Sequence, residues 1–229
     1  MTALAPLRDT LLPRALARAT ARAWPDVLWR GPAHTPDGHP ALYLTVDDGP
    51  DADGTPLWRR TLDAAGARAL VFLSGPAADA RPDLVRALAA DGHRVGSHGG
   101  AHVSAWRTRG TVGQMARAVD ALEQTLGAAV TDVRPPYGRV TPALVRWARA
   151  TGRRVVLWDT MPGDFLASTT ADGVAAEIVR RARPGAVVVL HDGRPARVAT
   201  GALAVALPRL ARAGWRFPAL PPASPVPGP

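Results

Sequence analysis

Apolar and polar positions change rhythm repeatedly along this chain. Short strand-like runs at residues 41–46, 68–73, 93–96, 131–134, 153–158 and 186–190, most of them rich in Val, Leu or Ala, with a weaker one at 215–217, predict strands. Between them, apolar residues recur at helical spacing over 56–65, 82–90, 112–126, 142–150, 171–182 and 198–212, which predicts helices with one face toward a core. Proline enters the first turn in Thr55-Pro56, Arg81-Pro82 and Thr141-Pro142, where its fixed φ and missing N–H cost little. Glycine stops helices in "AGA", "DGH", "LGA", "TGR" and "AGW", since it tolerates the left-handed turn beyond the last carbonyls.

Strand and helix alternate at intervals of about 25 to 30 residues, the pattern of an α/β parallel sheet or (β/α) barrel in one domain. Such folds gather their chemistry at the C-terminal ends of strands. The unusual polar residues stand there: Asp47 and Asp48, His98 and His102, Arg134 and Tyr137, Asp159 and Asp164, His191 and Asp192. The organisation expected is an N-terminal helix and lead-in over 1–40, the α/β domain over 41–217, and a Pro-rich extended tail over 218–229.

The 229 residues include no cysteine, so disulfides and thiolate metal sites are excluded and any metal falls to His, Asp or Glu. The formal charge is +9, and all 28 basic side chains are arginine. Residues 177–217 hold eight arginines against two acids, a balance that suits a polyanion, yet no nucleic-acid motif accompanies it and a solvated arginine-rich face is the plainer reading. No apolar run has the length of a membrane span. The N-terminal segment puts Leu11, Leu12, Ala15, Leu16 and Ala19 on one helical face and Arg14, Arg18 and Arg22 on another, fit for packing on the domain or for peripheral contact with an anionic membrane. With no secretory signal or anchor legible, the cytoplasm is the default compartment. Oligomeric state is not legible.

The stretch "LYLTVDDGP" ends a strand in two adjacent carboxylates, and neighbouring strand side chains point to opposite faces unless the backbone turns, which Gly49-Pro50 allows. In "GSHGGAH", His98 and His102 have a spacing that suits one divalent ion. Asp48 with these two imidazoles makes a three-ligand set that leaves positions open, as a catalytic metal requires, and the other aspartate can then take a proton from water. His191 at the tip of "VVVLH" is a candidate general acid, and Arg134 in "VRPPYG" can brace a carboxylate. Trp106, just beyond His102, offers an aromatic face for contact with a substrate.

Taken in order, "TVDDGP", "SHGGAH", "RPPYG", "LWDTMPGDF" and "VVLHDG" resemble the five motifs of the polysaccharide deacetylase family, the NodB-homology domain of carbohydrate esterase family four. The resemblance implies a distorted (β/α) barrel and a hydrolase that removes N-acetyl groups from a glycan of the chitooligosaccharide or peptidoglycan type. By it, Asp47 is the base, Asp48, His98 and His102 hold one divalent metal ion, commonly zinc, and His191 is the acid. Arg134 orients Asp47, the Tyr137 N–H helps hold the oxyanion, Asp164 tunes His191 with Asp159 as the alternative, and Leu190 lines the acetyl pocket. Many relatives act at the cell wall. The chain departs from the usual motifs at Val46, Gly99 and Phe165, where Phe, Ser or Thr, and Trp are customary. Other readings keep the scaffold for O-acetyl esters or small cyclic amides, or make the chain a weakly catalytic binder of a polyanion or membrane surface.

Overall fold

A computed structural model describes residues 24, 26–100, 102 and 110–222. The amphipathic N-terminal segment and Trp106 lie outside these residues. The apolar runs form strands β1 Val27–Leu28, β2 Tyr43–Asp47, β3 Ala69–Leu73, β4 Arg94–Ser97, β5 Asp132–Val133, β6 Arg154–Val156 and β7 Val187–His191. They make one sheet in the order β1-β6-β5-β4-β3-β2-β7, with every neighbouring pair parallel. Helices α1 Gly54–Ala64, α2 Gly75–Ala80, α3 Pro82–Ala90, α4 Thr111–Leu126, α5 Pro142–Ala150, α6 Ala171–Arg181 and α7 Ala196–Arg212 connect and cover them. Among the described residues no helix is long and apolar enough to cross a membrane.

The sheet curls until its two edges meet, giving the distorted barrel. Gly31 N donates to Gly185 O at 2.9 Å, and Val189 N donates to Thr160 O at 2.9 Å across the seam. Asp159 clasps it further, accepting from Arg183 Nε at 2.6 Å with Arg30 Nε 3.6 Å away. Alternation along each strand then separates two cores. Leu44, Val46, Val71, Leu73, Val188 and Leu190 face the helices and pack with Trp58, Leu62 and Leu207, while Tyr43, Leu70, Phe72 and Val187 face the barrel interior. Gly96 on β4 makes room for that interior: a Cβ there would lie 2.8 Å from the Phe72 ring and from Asp132 O.

Differences from the sequence expectation have local causes. Helix α1 begins at Gly54, ahead of Pro56, because the Asp51 carboxylate accepts from Gly54 N at 2.7 Å and Asp53 N at 3.0 Å. Strand β1 and helix α2 are too short for their periodicity to register. Residues 215–217 form no strand; Arg216 makes only an isolated parallel bridge to Ala41. The segment after Phe217 does not begin a free tail. Leu220 is fully buried in the barrel interior, Arg94 Nη1 donates to Leu220 O at 2.7 Å, and Arg154 Nη2 donates to Pro221 O at 2.8 Å. A Pro-rich stretch lacks N–H donors but keeps its carbonyls, and these two arginines, both anchored on the buried Asp132, satisfy them.

His93, just before β4, is 4% exposed and its Nδ1 accepts from Ala69 N at 3.1 Å. Burial, aided by the charge of Arg68, pushes its pKa down to about 4, so the ring is neutral in the folded chain. An unfolded histidine titrates near 6.5, so the unfolded state takes up the proton first and stability falls as pH drops from about 6.5 to about 4. In urea unfolding between pH 7 and 4.5, His93→Gln should lose less of its midpoint than the parent, because glutamine keeps an acceptor for Ala69 N without titrating.

Candidate active site and metal centre

Strands β2 and β7 pair with Asp47 directly beside His191, so their Cα atoms stand about 5 Å apart across the ladder. Asp47 points into the barrel and accepts from Arg134 Nη1 at 2.6 Å. Arg134 is itself fully buried: Nη1 also donates to Thr45 Oγ1 at 2.8 Å, Nε to Val156 O at 3.1 Å and Nη2 to Leu157 O at 2.9 Å. Its guanidinium carbon lies 4.1 Å over the Phe72 ring and 5.4 Å from that of Trp158. Burial lowers the Arg134 pKa and the Asp47 carboxylate opposes that shift. Thr45 went unnoticed in the sequence, where it reads as an ordinary strand residue.

The two adjacent carboxylates reach one site because Asp48 takes a left-handed backbone, φ 74°. Its Oδ1 lies 3.5 Å from His98 Nε2 and 3.3 Å from His102 Nε2, and the three ligand atoms fall within 4.8 Å of one another. Asp48 Oδ1 is buried with no hydrogen-bond partner among the described residues. Burial lowers the His98 pKa, against the raising pull of Asp47 and Asp48, which favours the neutral ring that can ligate. An orphaned carboxylate oxygen facing two imidazole nitrogens is costly, and a divalent cation bound between them would remove that cost. The donor set therefore fits a metal ion.

On the other side of Asp47, His191 Nδ1 lies 3.1 Å from Asp164 Oδ1, and Asp164 Oδ2 accepts His191 N at 2.7 Å. Burial disfavours the charged ring, but the bond and charge of Asp164, with Asp47 and Asp48, outweigh it and raise the His191 pKa. Asp159, the alternative partner, is instead committed to the seam arginines. Phe165 packs its ring 5.0 Å from that of His191. Tyr137 sits left-handed, φ 59°, in the turn Pro136–Gly138, its exposed ring 4.6 Å from His102.

Leu190 is not brought to this site. It lies fully buried in the helix-side core with Val46, on the face of β7 opposite to His191, because adjacent strand residues alternate. By the same rule Val189, two residues before His191, shares its inward face.

 The inward-facing apolar residue of β7 next to the site is thus Val189.

Residues 34–156 match the family model described as polysaccharide deacetylase. The chain is 29% identical over 184 residues to a peptidoglycan-N-acetylglucosamine deacetylase of Bacillus cereus, an alignment covering 79% of this chain and 66% of that relative. It is 32% identical over 161 residues to a chitooligosaccharide deacetylase of Sinorhizobium fredii, covering 69% of this chain and 74% of the relative. The crystal structure of the Bc1960 peptidoglycan N-acetylglucosamine deacetylase superposes with a TM-score of 0.80 at 27% identity, over 87% of this chain and 94% of that one.

The centre makes a direct prediction about metal uptake. In equilibrium dialysis against zinc, Asp48→Ala and His98→Ala should each weaken binding by at least about 10-fold. His93→Gln, a histidine buried away from the cluster, should bind as the parent does.

Proposed function

The chain belongs to the polysaccharide deacetylase family, and from that premise we propose that it hydrolyses the N-acetyl group of a glycan of the peptidoglycan or chitooligosaccharide type. The observation that carries this reading is the meeting of two devices at one set of strand ends: the Asp48, His98 and His102 cluster, and the Asp47–His191 pair in register beside it. A divalent ion, zinc being the family's common choice, would act as a Lewis acid toward the acetyl carbonyl and acidify water at neutral pH.

The chain's own residues divide the remaining work. Arg134 occupies Oδ1 of Asp47, leaving Oδ2 to take the proton of the attacking water. The water oxygen bonds to the acetyl carbon, and the Tyr137 N–H supports the negative charge that develops on the carbonyl oxygen. As the C–N bond breaks, His191 gives its proton to the departing nitrogen, so the products are acetate and a free amine. Asp164 fixes the His191 ring through Nδ1 and favours its protonated form. Val189, on the inward face of β7, would meet the acetyl methyl.

Free-amine release from N-acetylglucosamine oligomers and peptidoglycan fragments, with zinc-reconstituted protein, tests the reading. Asp47→Asn and His191→Ala should each lower kcat by about 100-fold or more. Absence of release from every glycan by fully zinc-loaded parent protein would overturn it and direct attention to esters.

The pH profile separates the roles. An acid must be protonated to act, so activity falls as pH rises through the His191 pKa. Removing the Asp164 charge lowers that pKa. In kcat/KM profiles, Asp164→Asn should move the alkaline limb to lower pH.

A further inference from the structure

Asp192 follows His191 and is 2% exposed, yet the proposed reaction assigns it no task. Its backbone N donates to Asp47 O at 2.9 Å, extending the β2–β7 ladder one step past the strand end. Its carboxylate turns back into the loop that carries the acid pair. Oδ2 accepts the Thr55 hydroxyl and lies 3.4 Å from Asp51 N, while Oδ1 accepts Gly193 N at 2.8 Å. Thr55 Oγ1 in turn accepts Asp51 N at 2.8 Å, so the carboxylate, the hydroxyl and the loop backbone form one continuous chain of bonds.

The loop is shaped around this carboxylate. A Cβ at Gly49 would lie 2.6 Å from Asp192 Oδ2, and one at Gly54 would collide with Oδ1. Between the two ends of this brace sits Asp48, a non-glycine residue in the left-handed region, a conformation that persists only where its surroundings enforce it. On one side Asp47 O is held by Asp192 N; on the other, Gly49 O accepts Ser74 N at 2.9 Å and Asp51 is held through Thr55.

We propose that Asp192 is a positioning residue: together with Thr55 it holds the Asp47–Thr55 loop so that Asp48 faces His98 and His102 while Asp47 stays beside His191. It touches neither substrate nor metal and acts through the loop. The proposal rests on the deacetylase reading for its effect on turnover, but its effect on metal uptake stands apart from that reading.

Two substitutions break the brace with little change in volume. Asp192→Asn replaces an acceptor with a donor, which then faces the Asp51 N–H or the Gly193 N–H. Thr55→Val removes the hydroxyl that joins the carboxylate to Asp51 N, and Thr55→Ser restores it. Leu88→Ala, a buried position of α3 away from the site, supplies a variant destabilised by a cavity alone.

Zinc affinity by competition with a chelator, kcat and KM on an N-acetylated oligomer, and Tm would be measured on all four. The expected result is zinc affinity and kcat each reduced by about 10-fold in Asp192→Asn and Thr55→Val, with KM little changed. Thr55→Ser should recover both, and Leu88→Ala should lower Tm alone. Asp192→Asn and Thr55→Val behaving like Leu88→Ala would overturn the proposal, as would Thr55→Ser failing to restore zinc affinity. If Asp192→Asn does not fold, the Thr55→Val and Thr55→Ser pair decides by itself. A parent protein that binds zinc but releases no amine would overturn the deacetylase reading, while the zinc affinities would still judge the brace.

Discussion

The Arg134 guanidinium occupies a place inside the barrel that apolar side chains would otherwise fill. It is a full charge in a buried setting, and the surrounding fold answers it with a carboxylate, a hydroxyl, two backbone carbonyls and an aromatic face. Those partners come from β2, β3 and the end of β6, and Arg134 itself follows β5, so one side chain ties together much of the curled sheet. Replacing either member of such a pair leaves the other charge buried and unpaired, a change that typically costs about 3–5 kcal/mol. The same interaction sets the direction of Asp47. Stability of the barrel interior and aim of the proposed base are therefore a single constraint.

The arginine-rich composition looks different in that light. Several arginines are fasteners of the fold: Arg94 and Arg154 meet on fully buried Asp132 at the floor of the barrel, and Arg30 meets Arg183, which lies in the stretch read as a solvated face, on Asp159 at its seam. A guanidinium can reach several acceptors at once, which suits a sheet whose closure is made from irregular backbone. Arg194, Arg197, Arg209 and Arg212 remain exposed on or beside α7, the plainer reading of an arginine-rich face.

Legibility followed the range of the signal. The longer strands and helices were readable because alternation and helical spacing act within one segment; α3 and α5 begin and end where the pattern placed them. Two-residue β1 carries no period to detect, and its place beside β6 is set by pairing with residues far along the chain. The paired acids and histidines stood at strand ends in the sequence itself. The choice between Asp164 and Asp159 did not, since both follow β6 in irregular chain and are sorted by distant partners, His191 for one and Arg183 with Arg30 for the other. Leu190 shows the reverse case: strand alternation alone places it opposite His191, and the local rule outweighs the expectation carried over from the family. The segment around Leu220 read as a tail because proline masks its buried anchor.

The pairing of β2 with β7 places a further demand on the chain. Asp47 and His191 are neighbours only in the observed register, and a slip of one residue would turn either side chain to the helix-covered face. Three features oppose a slip. Thr45 Oγ1 donates to Val188 O at 2.8 Å, Asp192 N continues the ladder onto Asp47 O, and Leu44, Val46, Val188 and Leu190 fill the outer core only when they face it together. The apolar residues between the chemical ones are thus part of the catalytic geometry. By filling one face of the two strands, they deliver the proposed base and acid to the other.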